Sequence, residues 1–310
     1  VKKTKTQFNR YHPKKSREAL FLLLEPMKKK LLVAIPLLSA VIAVAGYQAI
    51  FTLPDQPQLS SVSDDGVVLS PQCYVNPRAK VLDKQGSINL LVWNIYKQNR
   101  SQWDVELTRL TDEAQLALLQ EASMTSELKQ WIKREGWFAN QVDAFKAFDA
   151  TAGVLNLTQD TPNLACAFVE LEPWLRLPKS ALYATYPLSD GDELAVVNIH
   201  AVNFTYGTEE YLRQLSRLVD ELLEHQGPII VAGDFNSWSE SRLAVMKQAL
   251  DKLGLHEVTY QEDHRTQFIT GLPLDHVFYR GLRLKTAEAP FSDASDHNPI
   301  LVSFELLPTN

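Results

Sequence analysis

The chain has 310 residues, of which 45% are hydrophobic and 22% charged, with 12 glycines and 16 prolines. That balance excludes wholesale disorder and the collagen-like and low-complexity classes. The net charge of −6 is unevenly held: residues 1–30 carry ten Lys or Arg against two Glu, a net +8, which leaves −14 for residues 31–310. An acidic body argues against a broad electropositive groove for duplex nucleic acid.

In chain order, residues 1–26 read as a basic, weakly patterned leader. Met27 then opens a new element, with Lys28, Lys29 and Lys30 ahead of the uncharged run LLVAIPLLSAVIAVAGY. Translation is expected to begin at Met27. No charge falls between Lys30 and Asp55. Residues 27–53 are predicted to be a signal anchor or signal peptide, with residues 31–53 meeting the membrane. The lysine cluster then leaves the N-terminus in the cytoplasm and sends the rest across the inner membrane, to a periplasm-like side. A cytoplasmic location is the alternative. Residues 54–87, rich in Pro, Ser, Asp and Gln, read as a linker or lead-in. Cys73 and Cys166 have no metal-site spacing. They are expected to be two small buried hydrophobes, and a disulfide between them would require an oxidising compartment.

From Ile88 short apolar runs alternate with helical patterns. Strands are predicted at Ile88–Trp93 and Leu116–Gln120, with a helix at Trp103–Leu110 between them and another at Thr125–Arg134. Further strands are predicted at Gly153–Leu157, Leu164–Leu171, Ser180–Leu188 and Glu193–Ile199. The segment Thr208–His225 is an amphipathic helix by its i, i+3/i+4, i+7 apolar spacing. Strand Ile229–Ala232 and a helix from Ser239 to Gly254 follow, then strands Asp275–Tyr279, Leu282–Glu288 and Ile300–Phe304. The loops 139–151 and 260–273 carry no decodable motif. The pattern predicts a catalytic domain over residues 88–307, of mixed α/β (α+β) class, with two packed sheets flanked by helices.

Polar residues recur at the strand ends: Asn94, Glu121, His200 with Asn203, Asp234 with Asn236, Asp275, and Asp296 with His297. An unpaired buried carboxylate is costly, so the same chemistry at six strand ends marks a site rather than chance. Lys97 and Arg100 read as a solvated edge, and Trp103 as a packing residue.

The ordered motifs NLLVWNI, LLQEA, NIHAVNF, VAGDFNS, LDHVFY and SDHNPILV resemble those of the endonuclease/exonuclease/phosphatase superfamily. That group takes in DNase I-like nucleases, AP endonucleases, inositol-phosphate 5-phosphatases and neutral sphingomyelinases. The likeness runs from Ile88 to about Phe304 and is greatest to its YafD-like branch. It implies a four-layer α/β sandwich of two mixed β-sheets, and hydrolysis of phosphate esters with Mg²⁺, for which Mn²⁺ can substitute. By the resemblance, Glu121, Asn94 and Asp296 contact the metal, and oxygen donors of this kind suit a hard cation. His297 is the catalytic histidine, Asp275 orients it, and Asp234 holds or deprotonates the attacking water. His200 contacts phosphate or protonates the leaving oxygen. Asn236, Asn203 and Asn94 contact the substrate. Ala122 and Ser123 follow Glu121 where AP endonucleases carry a lysine motif, and His200 stands where they use tyrosine, which speaks against an abasic-site nuclease. The expected activity is hydrolysis of phosphodiesters, in nucleic acid or phospholipid headgroups, by in-line attack of water. The alternatives are a Mg²⁺-dependent nuclease and a non-catalytic binding protein that keeps the fold. No feature fixes an oligomeric state.

Overall fold

The computed structural model describes residues 35–63, 66–174 and 176–308. The expected leader, the Lys28–Lys30 cluster and residues 31–34 lie outside the described residues. Residues 35–50 form helix α1, whose apolar side chains Ile35, Leu37, Leu38, Val41, Ile42 and Val44 are exposed. Among the described residues, no helix is long and apolar enough to cross a membrane. This helix belongs to a unit ending at Phe51, and a second compact unit spans Thr52–Asn310.

The strands run in order β1 (Phe51–Thr52), β2 (Gln58–Ser63), β3 (Gly66–Pro71), β4 (Cys73–Val75) and β5 (Ser87–Asn94). After helix α2 (Trp103–Thr111) come β6 (Leu116–Ser123), helix α3 (Ser126–Arg134), β7 (Phe138–Val142), β8 (Phe145–Ala147) and β9 (Ala150–Thr158). Then come β10 (Leu164–Leu171), β11 (Pro178–Pro187), β12 (Glu193–His200), helix α4 (Glu209–Leu222), β13 (Ile229–Asp234) and helix α5 (Glu240–Asp251). The chain closes with β14 (His256–Glu257), β15 (Glu262–Asp263), β16 (Asp275–Arg280), β17 (Leu282–Ala289) and β18 (Ile300–Leu306). Thr125 and Ser239 cap α3 and α5, each side chain accepting a backbone N–H of the first turn at 3.3 Å.

The larger sheet has the order β15-β17-β18-β5-β6-β9-β7-β2-β3, and the smaller β14-β16-β13-β12-β11-β10-β4. Both are mixed: β5 with β6 and β12 with β13 are parallel, among mostly antiparallel neighbours. The inner core joins Leu90, Val92, Leu118 and Val154 of one sheet to Leu182, Val196 and Ile230 of the other. Helices α4 and α5 cover the outer face of the smaller sheet, and α2 and α3 that of the larger. The result is the expected four-layer sandwich.

Two expectations change. The segment read as a linker is woven into the fold: β2 and β3 extend the larger sheet, and β4 edges the smaller. Its polar composition hid this, because Ser60 and Ser61 sit on a sheet with partners, Ser60 donating to Asp143 at 2.5 Å and Ser61 to Asn140 at 2.9 Å. The cysteines also pair. Cys73 and Cys166 face each other in the β4–β10 register and form a disulfide. The bridge spans 93 residues of sequence, a loop whose closure is worth about 4–5 kcal/mol in the chain-entropy account.

A polar bridge crosses the sandwich beneath the strand ends. Gln120 donates to Asn198 Oδ1 at 2.7 Å, and Asn198 donates to Asn156 Oδ1 at 2.9 Å and to the carbonyls of Leu119 and Leu155 at 3.2 and 3.1 Å. The two sheets thus hydrogen-bond to each other through buried amides. This fixes how the two sets of strand ends face each other.

Candidate active site

Register alone brings three side chains together. β12 and β13 run parallel with His200 opposite Asp234, and β16 runs antiparallel to β13 with Asp275 opposite the same Asp234. Gly233, one residue earlier, has φ +139°, and a Cβ there would meet the Ile199 carbonyl oxygen at 2.0 Å. The glycine lets the two strands close at the level of the site.

From the other sheet, Asn94 ends β5 and donates to Asp234 Oδ2 at 3.0 Å, while its own oxygen accepts the Tyr96 N–H at 3.1 Å. The loop before β18 brings His297. Its Nδ1 lies 2.7 Å from Asp275 Oδ2, and its Nε2 lies 4.0 Å from Asp234 Oδ2. That loop is strapped down: Trp93 donates to the His297 carbonyl at 2.8 Å, and Ser295 donates to the Asn94 carbonyl at 2.6 Å. Asp234, Asp275 and His297 each place one ligand-type atom within 4.8 Å of the others.

Glu121 lies at a slip in the β6–β9 register and has φ +52°. Its Oε1 is 3.8 Å from His200 Nε2, which is itself 3.4 Å from Asp234 Oδ2. Tyr96, Lys97 and Gln98 all have positive φ, at 48, 52 and 57°. This left-handed turn of three non-glycine residues carries Lys97 onto Glu121, where Nζ meets Oε2. A second lysine, Lys179 of β11, lies 3.9 Å from Glu121 Oε1 and 2.7 Å from His200 Nε2. The solvated-edge reading of Lys97 is therefore corrected. Arg100 is exposed, and Trp103 packs against the outer core.

The charges have identifiable causes. Burial raises the Glu121 pKa, but Lys179 and Lys97 outweigh it and hold the group below the ordinary carboxylate value. Burial, then Lys179 and Lys97, hold His200 well below the ordinary histidine value, so it stays neutral and its Nε2 accepts from Lys179. Burial drives Asp234 up to about 6, against the pull of His297. His297 is pulled down by burial but raised to about 10 by Asp275, the charge and the hydrogen bond together.

Not every predicted residue takes its expected place. Asn236, at φ +47°, donates its side-chain amide to the Ala201 carbonyl at 2.9 Å, and its backbone N–H goes to Asp234 Oδ1 at 2.9 Å. It holds two loops together, with one amide hydrogen given to a backbone carbonyl. Asn203 accepts from the Trp238 indole at 2.9 Å and lines a cavity beside Glu121. Asp296 is exposed, its carboxylate 3.4 Å from the Ser295 hydroxyl, and it lies outside the acidic group.

Supporting residues escaped the sequence reading. Buried Arg242 ties the loops after β12 and β13, donating to the carbonyls of Asn236, at 2.7 Å, and Val202. Buried Ser237 and His276 and half-buried Glu257 form a chain, Oγ to Nε2 2.7 Å and Nδ1 to Oε1 2.6 Å. The only signal was adjacency, since Ser237 and His276 each follow a site residue directly.

The oxygen donors fit a hard divalent cation. Glu121 already draws two ammonium groups, and Asp275 Oδ1 is a buried oxygen with no hydrogen-bond partner among the described residues.

Comparison with known proteins bears on the family and the fold. The sequence profile of the "Endonuclease/Exonuclease/phosphatase family" matches residues 91–297. A UPF0294 protein of Vibrio cholerae is 58% identical over 281 residues, covering 91% of this chain and 100% of that protein. A UPF0294 protein of Yersinia enterocolitica is 45% identical over 218 residues, covering 70% of this chain and 84% of that protein. Among solved structures, an endonuclease/exonuclease/phosphatase from Bacteroides vulgatus superposes with a TM-score of 0.56 at 18% identity, covering 71% of this chain and 99% of that one. ANGEL2, described as a 2′,3′-cyclic phosphatase, gives 0.55 at 15% identity, covering 71% and 95%. At such identities these likenesses speak for the fold. The profile match over two thirds of the chain makes it a member of the endonuclease/exonuclease/phosphatase family, which includes metal-dependent phosphodiesterases and nucleases.

Proposed function

We propose that the chain is a divalent-metal-dependent phosphoesterase that hydrolyses phosphodiester bonds by in-line attack of water. The convergence of Asn94, His200, Asp275 and His297 around the single carboxylate of Asp234 carries this reading. Glu121, with Asn94, would hold the cation, which when bound supplies neutralisation of charge on the phosphoryl oxygens. Asp234 is the base: it is buried, its basicity is raised, and Asn94 orients it. His297, protonated and locked on Asp275, supplies positive charge where the phosphoryl group gains negative charge. His200 is neutral, and it faces the phosphate rather than the water.

The test is hydrolysis of a chromogenic phosphodiester by the full chain in Mg²⁺ or Mn²⁺, with EDTA and Glu121→Ala as the two losses. Each is expected to remove activity by a factor of about 10³ or more. Equal rates with and without EDTA would end the metal-dependent reading.

We further propose that the catalytic unit works outside the cytoplasm, tethered or exported through residues 31–53. The support is the uncharged run from Leu31 to Leu53 and the Cys73–Cys166 disulfide, which persists only in an oxidising compartment. Native protein trapped with an alkylating agent before lysis is expected to show both cysteines protected until reduction. Immediate alkylation of both would refute it.

A further inference from the structure

A cavity of about 250 Å³ opens beside Glu121, with Lys97, Lys179, Asn203, Phe145, Phe204 and Glu172 among its walls. Neither lysine takes part in the chemistry proposed above, yet both are delivered to one place. Lys97 arrives on the three-residue left-handed turn, a conformation that non-glycine residues adopt only at a cost. Lys179 arrives from β11 with only 18% of its side chain exposed. A lysine so covered is unusual without a function or a strong partner. Its neighbours are the neutral ring of His200 at 2.7 Å and a Glu121 oxygen at 3.9 Å. One carboxylate, Glu121, therefore faces both ammonium groups, while Glu172, the second carboxylate of the wall, accepts the Asn203 backbone N–H at 2.9 Å.

We infer that Lys97 and Lys179 are a phosphate-binding pair masked by Glu121. While Glu121 is uncommitted it holds both ammonium groups. When Glu121 is engaged otherwise, they turn to an anionic oxygen in the cavity. The cavity is then the seat of a phosphate group next to the scissile bond, and Phe145 and Phe204 line the space for whatever that phosphate carries. The identity of the anion rests on the phosphoesterase reading, whereas the masking itself does not. A phosphate of a polynucleotide and one of a lipid headgroup offer the same oxygens to the pair.

The test needs neither metal nor turnover. Pyrophosphate binding is measured by calorimetry on the full chain in EDTA at low ionic strength. Glu121→Gln removes the masking charge, and it is expected to bind pyrophosphate about tenfold more tightly than the wild type. Adding Lys179→Met to that variant is expected to abolish the gain, and adding Lys97→Met to reduce it. Glu121→Ala serves as the second unmasked variant should the glutamine form melt early. No gain in either unmasked variant, or a gain that survives Lys179→Met, overturns the inference. Repeating the unmasked titration with a short oligothymidylate and with phosphatidylglycerol vesicles assigns the source: the ligand whose binding falls on Lys179→Met is the one the pair serves, and if neither falls the pair is not a substrate site. Diester hydrolysis is read separately, so an active enzyme with no pyrophosphate gain loses only the lysine pair.

Discussion

Replacing His297 with alanine is expected to lower diester hydrolysis by about 10²–10⁴-fold, with the far-ultraviolet spectrum unchanged. The more informative companion is Asp275→Asn. In the wild type, activity should rise as Asp234 ionises at about 6 and fall as His297 loses its proton at about 10. Asp275 is the chief influence holding the His297 proton, and burial works against it. Asp275→Asn therefore moves the alkaline limb to lower pH, and it draws the acid limb down as well, because the Asp275 charge also raises Asp234. An alkaline limb that does not move would show that His297 is not the group that titrates there. The same shifts bear on stability. His297 is raised in the folded state, so its contribution is fully present below its ordinary value of 6.5 and is lost as pH climbs through about 10. Asp234 is also raised, so stability falls as pH rises from 3.8 through about 6, where the buried carboxyl is forced to ionise. Denaturant midpoints across pH 4–11 measure both.

A second large effect is expected from one methyl group. Gly233→Ala would put a Cβ 2.0 Å from the Ile199 carbonyl oxygen and 3.0 Å from its carbonyl carbon and its nitrogen, all backbone of the neighbouring strand. Backbone in the middle of a sheet cannot give way as the end of a side chain can. β13 must withdraw from β12, and the 3.4 Å approach of His200 to Asp234 opens with it. We expect a loss of about 3 kcal/mol in stability and of about 10²-fold or more in kcat/KM, because small misplacements of reacting groups are expensive. Gly191→Ala is the control. That glycine also has positive φ, at +94°, but has open space around it. It should cost about 1 kcal/mol and leave kcat/KM unchanged. Wild-type kcat/KM in Gly233→Ala would show that the site tolerates a wider gap than its register implies.

The sequence was most legible where a buried strand ran straight into a polar residue. The run IIVAGD and the run ELAVVNIH each announce a strand and its functional end, and register does the rest. It was least legible where polar residues lie inside the sheet. The segment FANQV of β7 reads as a loop, yet Gln141 donates to the Ala122 carbonyl at 2.7 Å, and Asn140 accepts from Ser61 and Tyr74 at 2.9 and 2.7 Å. Such partners come from residues tens of positions away, and no local window contains them. Lys179 was missed for the same reason. It lies just ahead of the predicted strand Ser180–Leu188, and only the sheet order reveals that the start of β11 lies beside His200 and Glu121.

The turn at Tyr96–Gln98 sets a trap for anyone who would make this protein tougher. Each of its three residues sits where glycine is at ease and a side chain is not, at about 1 kcal/mol or more apiece. A library sorted by heat tolerance alone would collect glycine at 96, 97 and 98. Its survivors would melt later and would have discarded the ammonium group at position 97. Heat-sorting of this chain should therefore be paired with a ligand-binding screen, or it will breed sturdy proteins that have lost their grip on phosphate.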